Sequence, residues 1–154
     1  MLNIHILCVG KLKERFYIDA VQEYQKRLSA YCRLTVTELP EEKLPKNPSQ
    51  AQIDAALARE AQSIRTKLPP KTKLIALCIE GRERSSAELS KLVTAENLCF
   101  LIGGSYGLDR SLKEEAYERL SMSPMTFPHH LARVMLLEQI YRGFKIQEGS
   151  SYHK

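Results

Sequence analysis

The chain has 154 residues, an apolar fraction of 44% and a net charge of +5. That length predicts one domain, residues 1–154, with an ordinary core. The basic balance admits a polyanionic partner, although a solubilising surface accounts for it equally well. No run of about 18 apolar residues occurs, which predicts no membrane span.

The opening residues Met1 to Ile6 lack a basic n-region and a cleavage site, so no secretory signal is expected. The four cysteines, Cys8, Cys32, Cys78 and Cys99, stand singly, mostly inside apolar runs. Without a Cys-x-x-Cys pair they predict reduced thiols in a cytoplasmic protein, with no zinc site and no redox dithiol. Nor do His, Asp or Glu recur at metal-ligand spacing.

Leu2 to Gly10 is an apolar run that predicts a buried strand ended by Gly10. Glu14 to about Tyr31 follows as a helix with Tyr17, Val21, Tyr24 and Leu28 on one face. Leu34 to Leu39 is a second strand. Pro40, Pro45 and Pro48 mark an exposed connection. Ser49 and Gln52 form a capping-box pattern that opens a helix, and Pro69 and Pro70 stop it. Lys73 to Glu80 is a third strand, with Gly81 at its end.

Ser85 and Glu88 cap a short helix running to about Val93, and Asn97 to Ile102 is a fourth strand. Ser111 and Glu114 start a further helix, and Arg119 to Ser121 is a brief fifth strand. Pro128 suits the first turn of the last helix. That helix carries Leu131, Val134, Met135, Glu138 and Tyr141 on one side and Leu137, Ile140 and Phe144 on another. Two apolar sides predict two covers, one the sheet and the second another subunit. Alternating strands and helices predict an α/β fold with a mainly parallel sheet and helices on both faces.

In such sheets ligands bind beyond the carboxyl ends of the strands. That rule gathers four loops: Gly10 to Lys13, Gly81 to Arg84, Gly103 to Gly107, and Ser121 to His129. Two are basic and two are small or bent, as an enzyme acting on RNA would need. Singly, each signal has a plainer alternative. Gly103-Gly104-Ser105-Tyr106-Gly107 reads also as a tight turn. His129, after Pro128, reads as a helix cap or as a catalytic group. Arg133 and Arg142 read as surface ion-pair partners, and Tyr152-His153-Lys154 as a frayed end.

Together, the motifs resemble the ribosomal RNA large subunit methyltransferase H family, of the SPOUT class of S-adenosylmethionine-dependent enzymes. The residues that carry the likeness are Val9-Gly10-Lys11-Leu12-Lys13, Glu23-Tyr24 with Lys26-Arg27-Leu28, and Glu38-Leu39-Pro40. Further along they are Leu77 to Gly81, Ile102-Gly103-Gly104-Ser105, Met125-Thr126-Phe127-Pro128-His129, Leu136 to Arg142, and the terminal Tyr152-His153-Lys154. The likeness runs from end to end.

The resemblance implies a C-terminal trefoil knot, which sequence physics alone would not propose. It also implies a homodimer, and methylation of N3 of a pseudouridine in 23S ribosomal RNA, at the family site pseudouridine 1915. The partners it implies are the ribosome and that RNA, with neither membrane nor metal. By position, it places S-adenosyl-L-methionine against Leu77, Gly103, Met122, Ser123, Pro124, Met125, Thr126 and Phe127. Apolar side chains can sandwich an adenine, and Gly103 would let the backbone come close to it.

The reaction must remove a ring N–H proton, so His153, Tyr152 and His129 are the candidate catalytic groups, with His153 given the proton and Tyr152 stacking or orientation. Arg142, with Arg133, would hold phosphate or the negative charge developing on the ring. The chain departs from the family pattern at Ser151, where a proline is usual, at Cys78, where an acid is common, and at His130, which replaces a commoner glutamine. The α/β pattern by itself also admits a nucleotide- or flavin-binding module, or a non-catalytic ribosome-binding factor.

Overall fold

A computed structural model describes residues 1–154. Five strands form one sheet: β1 (Asn3–Val9), β2 (Arg33–Leu39), β3 (Lys73–Glu83), β4 (Leu98–Ile102) and β5 (Glu118–Ser121). Their spatial order is β2-β1-β4-β3-β5, and every pairing is parallel. The helices are α1 (Arg15–Leu28), α2 (Gln50–Lys67), α3 (Ser86–Val93), α4 (Arg110–Glu115) and α5 (His129–Gln147).

Period-two alternation divides the core. Ile4, Ile6, Phe100 and Ile102 face one way and pack with Val21 and Leu28 of α1, Leu89 and Val93 of α3, and Leu136, Leu137 and Ile140 of α5. Leu7, Val9, Cys99 and Leu101 face the other way and meet Ala61 and Ile64 of α2 and Leu112 of α4. The apolar runs of β1 and β4 therefore have both faces covered, as a parallel sheet requires. Each fully buried Leu, Ile or Phe contributes roughly 1.5–3 kcal/mol, so this double-sided core holds the strand ends that build the site.

Both predicted capping boxes form: Ser49 and Ser85 each accept the amide of the residue three further on, and Gln52 and Glu88 return the bond. At α4 the cap differs from expectation. Asp109, not Ser111, is the N-cap, and its carboxylate accepts the Ser111 amide. Pro128 lies just outside α5 as its N-cap, so His129 is the first helical residue.

A further expectation needs correction. Gly81 does not end β3, which continues to Glu83 with a register shift: Leu77 and Arg82 both pair with Leu120 of β5. Cys78, Ile79, Glu80 and Gly81 are thereby left over as a bulge. Gly81 passes so close to β5 that a Cβ there would stand 2.7 Å from the Arg119 backbone. Within the chain, α1 and α3 pack against α5 on the same face of the sheet. Leu131, Met135, Glu138 and Arg142, at helical spacing along one row of α5, are all left half-buried. No helix is long and apolar enough to cross a membrane.

Candidate active site

A cleft of about 810 Å³ opens beyond the carboxyl ends of β3, β4 and β5, within the size range of small-molecule sites. Three chain segments wall it: the β3 bulge, the glycine loop after β4, and the loop from β5 into α5. Leu77, Gly103, Met122, Ser123, Met125, Thr126 and Phe127 all line it, and so does His129. Pro124 belongs to the same loop but does not line the cleft. Three exposed apolar side chains surround the opening, one from each wall: Ile79, Tyr106 and Met125.

The backbone around Gly103 itself requires a glycine there. A Cβ on it would run into the backbone of Gly107, standing 2.9 Å from the Gly107 Cα and closer still to its carbonyl. The residue lets the loop fold back on itself. The fold-back is closed by the Gly107 amide, which donates to the Gly104 carbonyl at 3.1 Å, and by a positive φ of 80° at Gly107.

Charge enters the cleft at a place the sequence did not mark. Lys113 of α4 donates to Glu80 of the bulge at 2.7 Å, and both side chains line the cleft. Burial pushes the Cys78 thiol up, so it lines the wall as a neutral group. Glu80 and Lys113 are distant in sequence, and no local motif joins them.

His129 is half-buried at the cleft edge, its ring 4.2 Å from that of His130. Burial, reinforced by His130, holds its pKa below the ordinary histidine value, so at neutral pH it is an uncharged imidazole able to accept a proton. His130 turns away towards Glu14, with Nδ1 3.6 Å from the carboxylate.

Arg133 is not a surface residue. It is 2% exposed, donates to Glu38 at 2.6 Å and to the Gly10 carbonyl at 3.1 Å, and its Nε has no partner. It ties α5 to the ends of β1 and β2 and is not free to meet phosphate.

The tail folds back on α5. Tyr152 donates to Glu138 at 2.8 Å and packs edge-on against Tyr141, with the Arg142 guanidinium 4.8 Å from its ring centre. Burial, with the bond to Glu138, raises the Tyr152 pKa, which rules it out as a base near neutrality. Arg142 makes two bonds to Glu138, at 3.0 and 3.2 Å, and lies 3.1 Å from His153 Nδ1. A guanidinium only donates, so Nδ1 accepts, and in the neutral ring the proton sits on Nε2. His153 held this way presents a donor outward. Arg142, Tyr152 and His153 are therefore one cluster, but not beside the cleft of their own chain. At 1.5 Å rise per residue Arg142 lies about 20 Å along α5 from His129.

A family model described as "Predicted SPOUT methyltransferase" matches residues 2–153. Proteins named ribosomal RNA large subunit methyltransferase H, from Leuconostoc mesenteroides subsp. mesenteroides, Streptococcus equi subsp. zooepidemicus and Streptococcus uberis, are each 43% identical over 159 aligned residues, covering 99% of this chain and 100% of theirs.

Proposed function

This chain belongs to the ribosomal RNA large subunit methyltransferase H family of SPOUT methyltransferases, and from that premise we propose that it methylates N3 of a pseudouridine in 23S ribosomal RNA, using S-adenosylmethionine. The observation that carries the reading is the cleft: three bent segments enclose a space of about 810 Å³ with a neutral histidine at its edge. Its lining suits that cofactor. Leu77, Leu120, Met122 and Phe127 offer apolar surface for an adenine, and the glycine loop offers backbone groups. Glu80 and Lys113 offer one charge of each sign for an amino-acid zwitterion. When bound, the cofactor would supply an electrophilic methyl group.

The chain's own residues then have to place a pyrimidine and strip its N3 proton. We assign the proton to His129, which is uncharged and at the cleft. Arg142 and the His153 Nε2 donor face the ring oxygens and hold the negative charge that develops between them, and Tyr152, fixed by Glu138, offers a stacking face. Because these groups lie about 20 Å along α5 from the cleft of their own chain, the reading pairs the tail of one copy with the cleft of a second. The half-buried row of α5 is the natural seam. We further infer that the glycine loop and the segment after β5 are parts of a trefoil knot. The strand order supports this: the chain leaving edge strand β5 must cross back over the β3 and β4 ends to reach α5. Activity on the ribosome would place the protein in the cytoplasm.

The test is mass spectrometry of 23S ribosomal RNA from cells lacking the protein, before and after adding it back with S-adenosylmethionine. Gain of one methyl group at N3 of a pseudouridine is expected. Calorimetry in which S-adenosylhomocysteine does not bind the purified protein at high concentration would overturn the reading.

A further inference from the structure

The glycine loop, one whole wall of the cleft, is short, partly exposed and bent twice, so something must hold its position. Within the loop there is a single backbone turn, Gly107 to Gly104. From outside it receives one polar contact: the Ser105 amide donates to Oε1 of Glu41 at 2.8 Å, across 64 residues of sequence. The fit is close. A Cβ on Gly104 would stand 2.6 Å from Glu41 Oε1 and 2.8 Å from its carboxyl carbon, so the absent side chain at Gly104 is the space the carboxylate occupies.

Glu41 is itself fixed on both sides. Leu39, the last residue of β2, accepts the Gly10 amide through its carbonyl at 2.7 Å. Glu42 donates its amide to Glu60, a carboxylate 6% exposed on α2, at 2.8 Å. Between these two anchors Glu41 has little freedom to move. Its second oxygen faces the next wall. Glu41 Oε2 and His129 Nε2 approach the same side of Gly10, 3.8 and 3.4 Å from where a Cβ would stand. Glu41 does not line the cleft; it stands behind two of its three walls.

Resting on the methyl-donor reading above, we propose that Glu41 is a positioning residue for the donor: its carboxylate braces the glycine loop from outside and fixes it relative to the His129 loop. A charged acceptor gives the stronger kind of hydrogen bond to an amide, but this one is exposed, so its effect is modest. Glu41→Ala should raise the KM for S-adenosylmethionine on the order of three- to tenfold, with a smaller change in kcat at saturation. Glu41→Gln retains an oxygen that can accept the Ser105 amide and should recover most of the affinity. Glu42→Ala, which keeps the backbone amide that Glu60 holds, should behave as wild type.

The decisive readout needs no cofactor. In the free protein, amide hydrogen exchange at Ser105 should speed up on the order of tenfold in Glu41→Ala, and by much less in Glu41→Gln. Unchanged Ser105 exchange in Glu41→Ala, or a Glu41→Gln protein as impaired as Glu41→Ala, overturns the brace whatever the ligand. Wild-type protein that fails to bind S-adenosylhomocysteine overturns the methyl-donor reading instead, and leaves the exchange result standing.

Discussion

His129 stands at the cleft edge with charged and titratable neighbours on all sides: His130, Glu41, Arg133 and Glu14. Burial depresses its pKa, so protonation comes only on the acid side of the ordinary histidine value. If His129 takes the N3 proton, kcat stays on its plateau through the range where a solvent-exposed histidine would already be charged, and falls only below it. His129→Ala should lower kcat by about 10²–10⁴-fold and remove that acid limb, which a pH–rate profile would read. Arg133 belongs to stability, not chemistry. Partial burial would raise the Glu38 carboxyl, but hydrogen bonds from Arg133 and the Leu12 amide and the Arg133 charge outweigh it and leave the pKa lowered. The stabilisation is therefore complete above the unfolded carboxylate value and is lost as pH falls through the lower folded one. Arg133→Ala takes the guanidinium from Glu38 and from the Gly10 carbonyl and opens space in the core. Urea denaturation should show a loss of about 3 kcal/mol.

The elements differ in how far the sequence revealed them. Strand β4, α2 and α3 were legible because their signals are local: an apolar run, two capping boxes, a double proline. At α4 the Ser-x-x-Glu pattern points to Ser111 as the cap, yet the acceptor in place is Asp109, two residues earlier. The bulge in β3 could not be read at all, since it exists only against Leu120 of β5. The residues that the resemblance implies for the cofactor line the cleft, Pro124 excepted. The Glu80–Lys113 pair and Glu41 depend on contacts between distant segments. Helix α5 separates two jobs by its length, with the cleft at its N-terminus and the tail cluster towards its C-terminus. Removing Tyr152 to Lys154 should leave S-adenosylhomocysteine binding within about twofold of wild type, since a 1.4 kcal/mol change would be needed for tenfold, and should abolish methyl transfer. Calorimetry and a radiolabelled methyl assay on ribosomes measure the two separately. Loss of cofactor binding in the truncated protein would show that the tail also builds the cleft.

At the scale of the molecule, the proposed pairing of one copy's tail with a second copy's cleft would leave each copy incomplete alone. Mixing Gly103→Trp protein, whose glycine loop cannot close, with protein lacking the tail should restore methyl transfer that neither has by itself. Refolding the two together before assay allows mixed pairs to form, and a mixture as inactive as its components would refute the shared site. The leftover residues of β3 carry a different lesson. The two pairings with Leu120 on either side of Cys78, Ile79, Glu80 and Gly81 mean that the sheet has no need of those four for its ladder. Excising them together with Arg82, which repeats the Leu120 pairing, would place Glu83 directly after Leu77 and allow β3 to run flush along its neighbour, Leu77 against Leu120 and Glu83 against Ser121. Such a shortened chain should melt no lower than its parent while losing all grip on S-adenosylhomocysteine. Architecture and occupation of the cleft would then be separable by deletion, with the surplus length of one strand serving the guest and not the host.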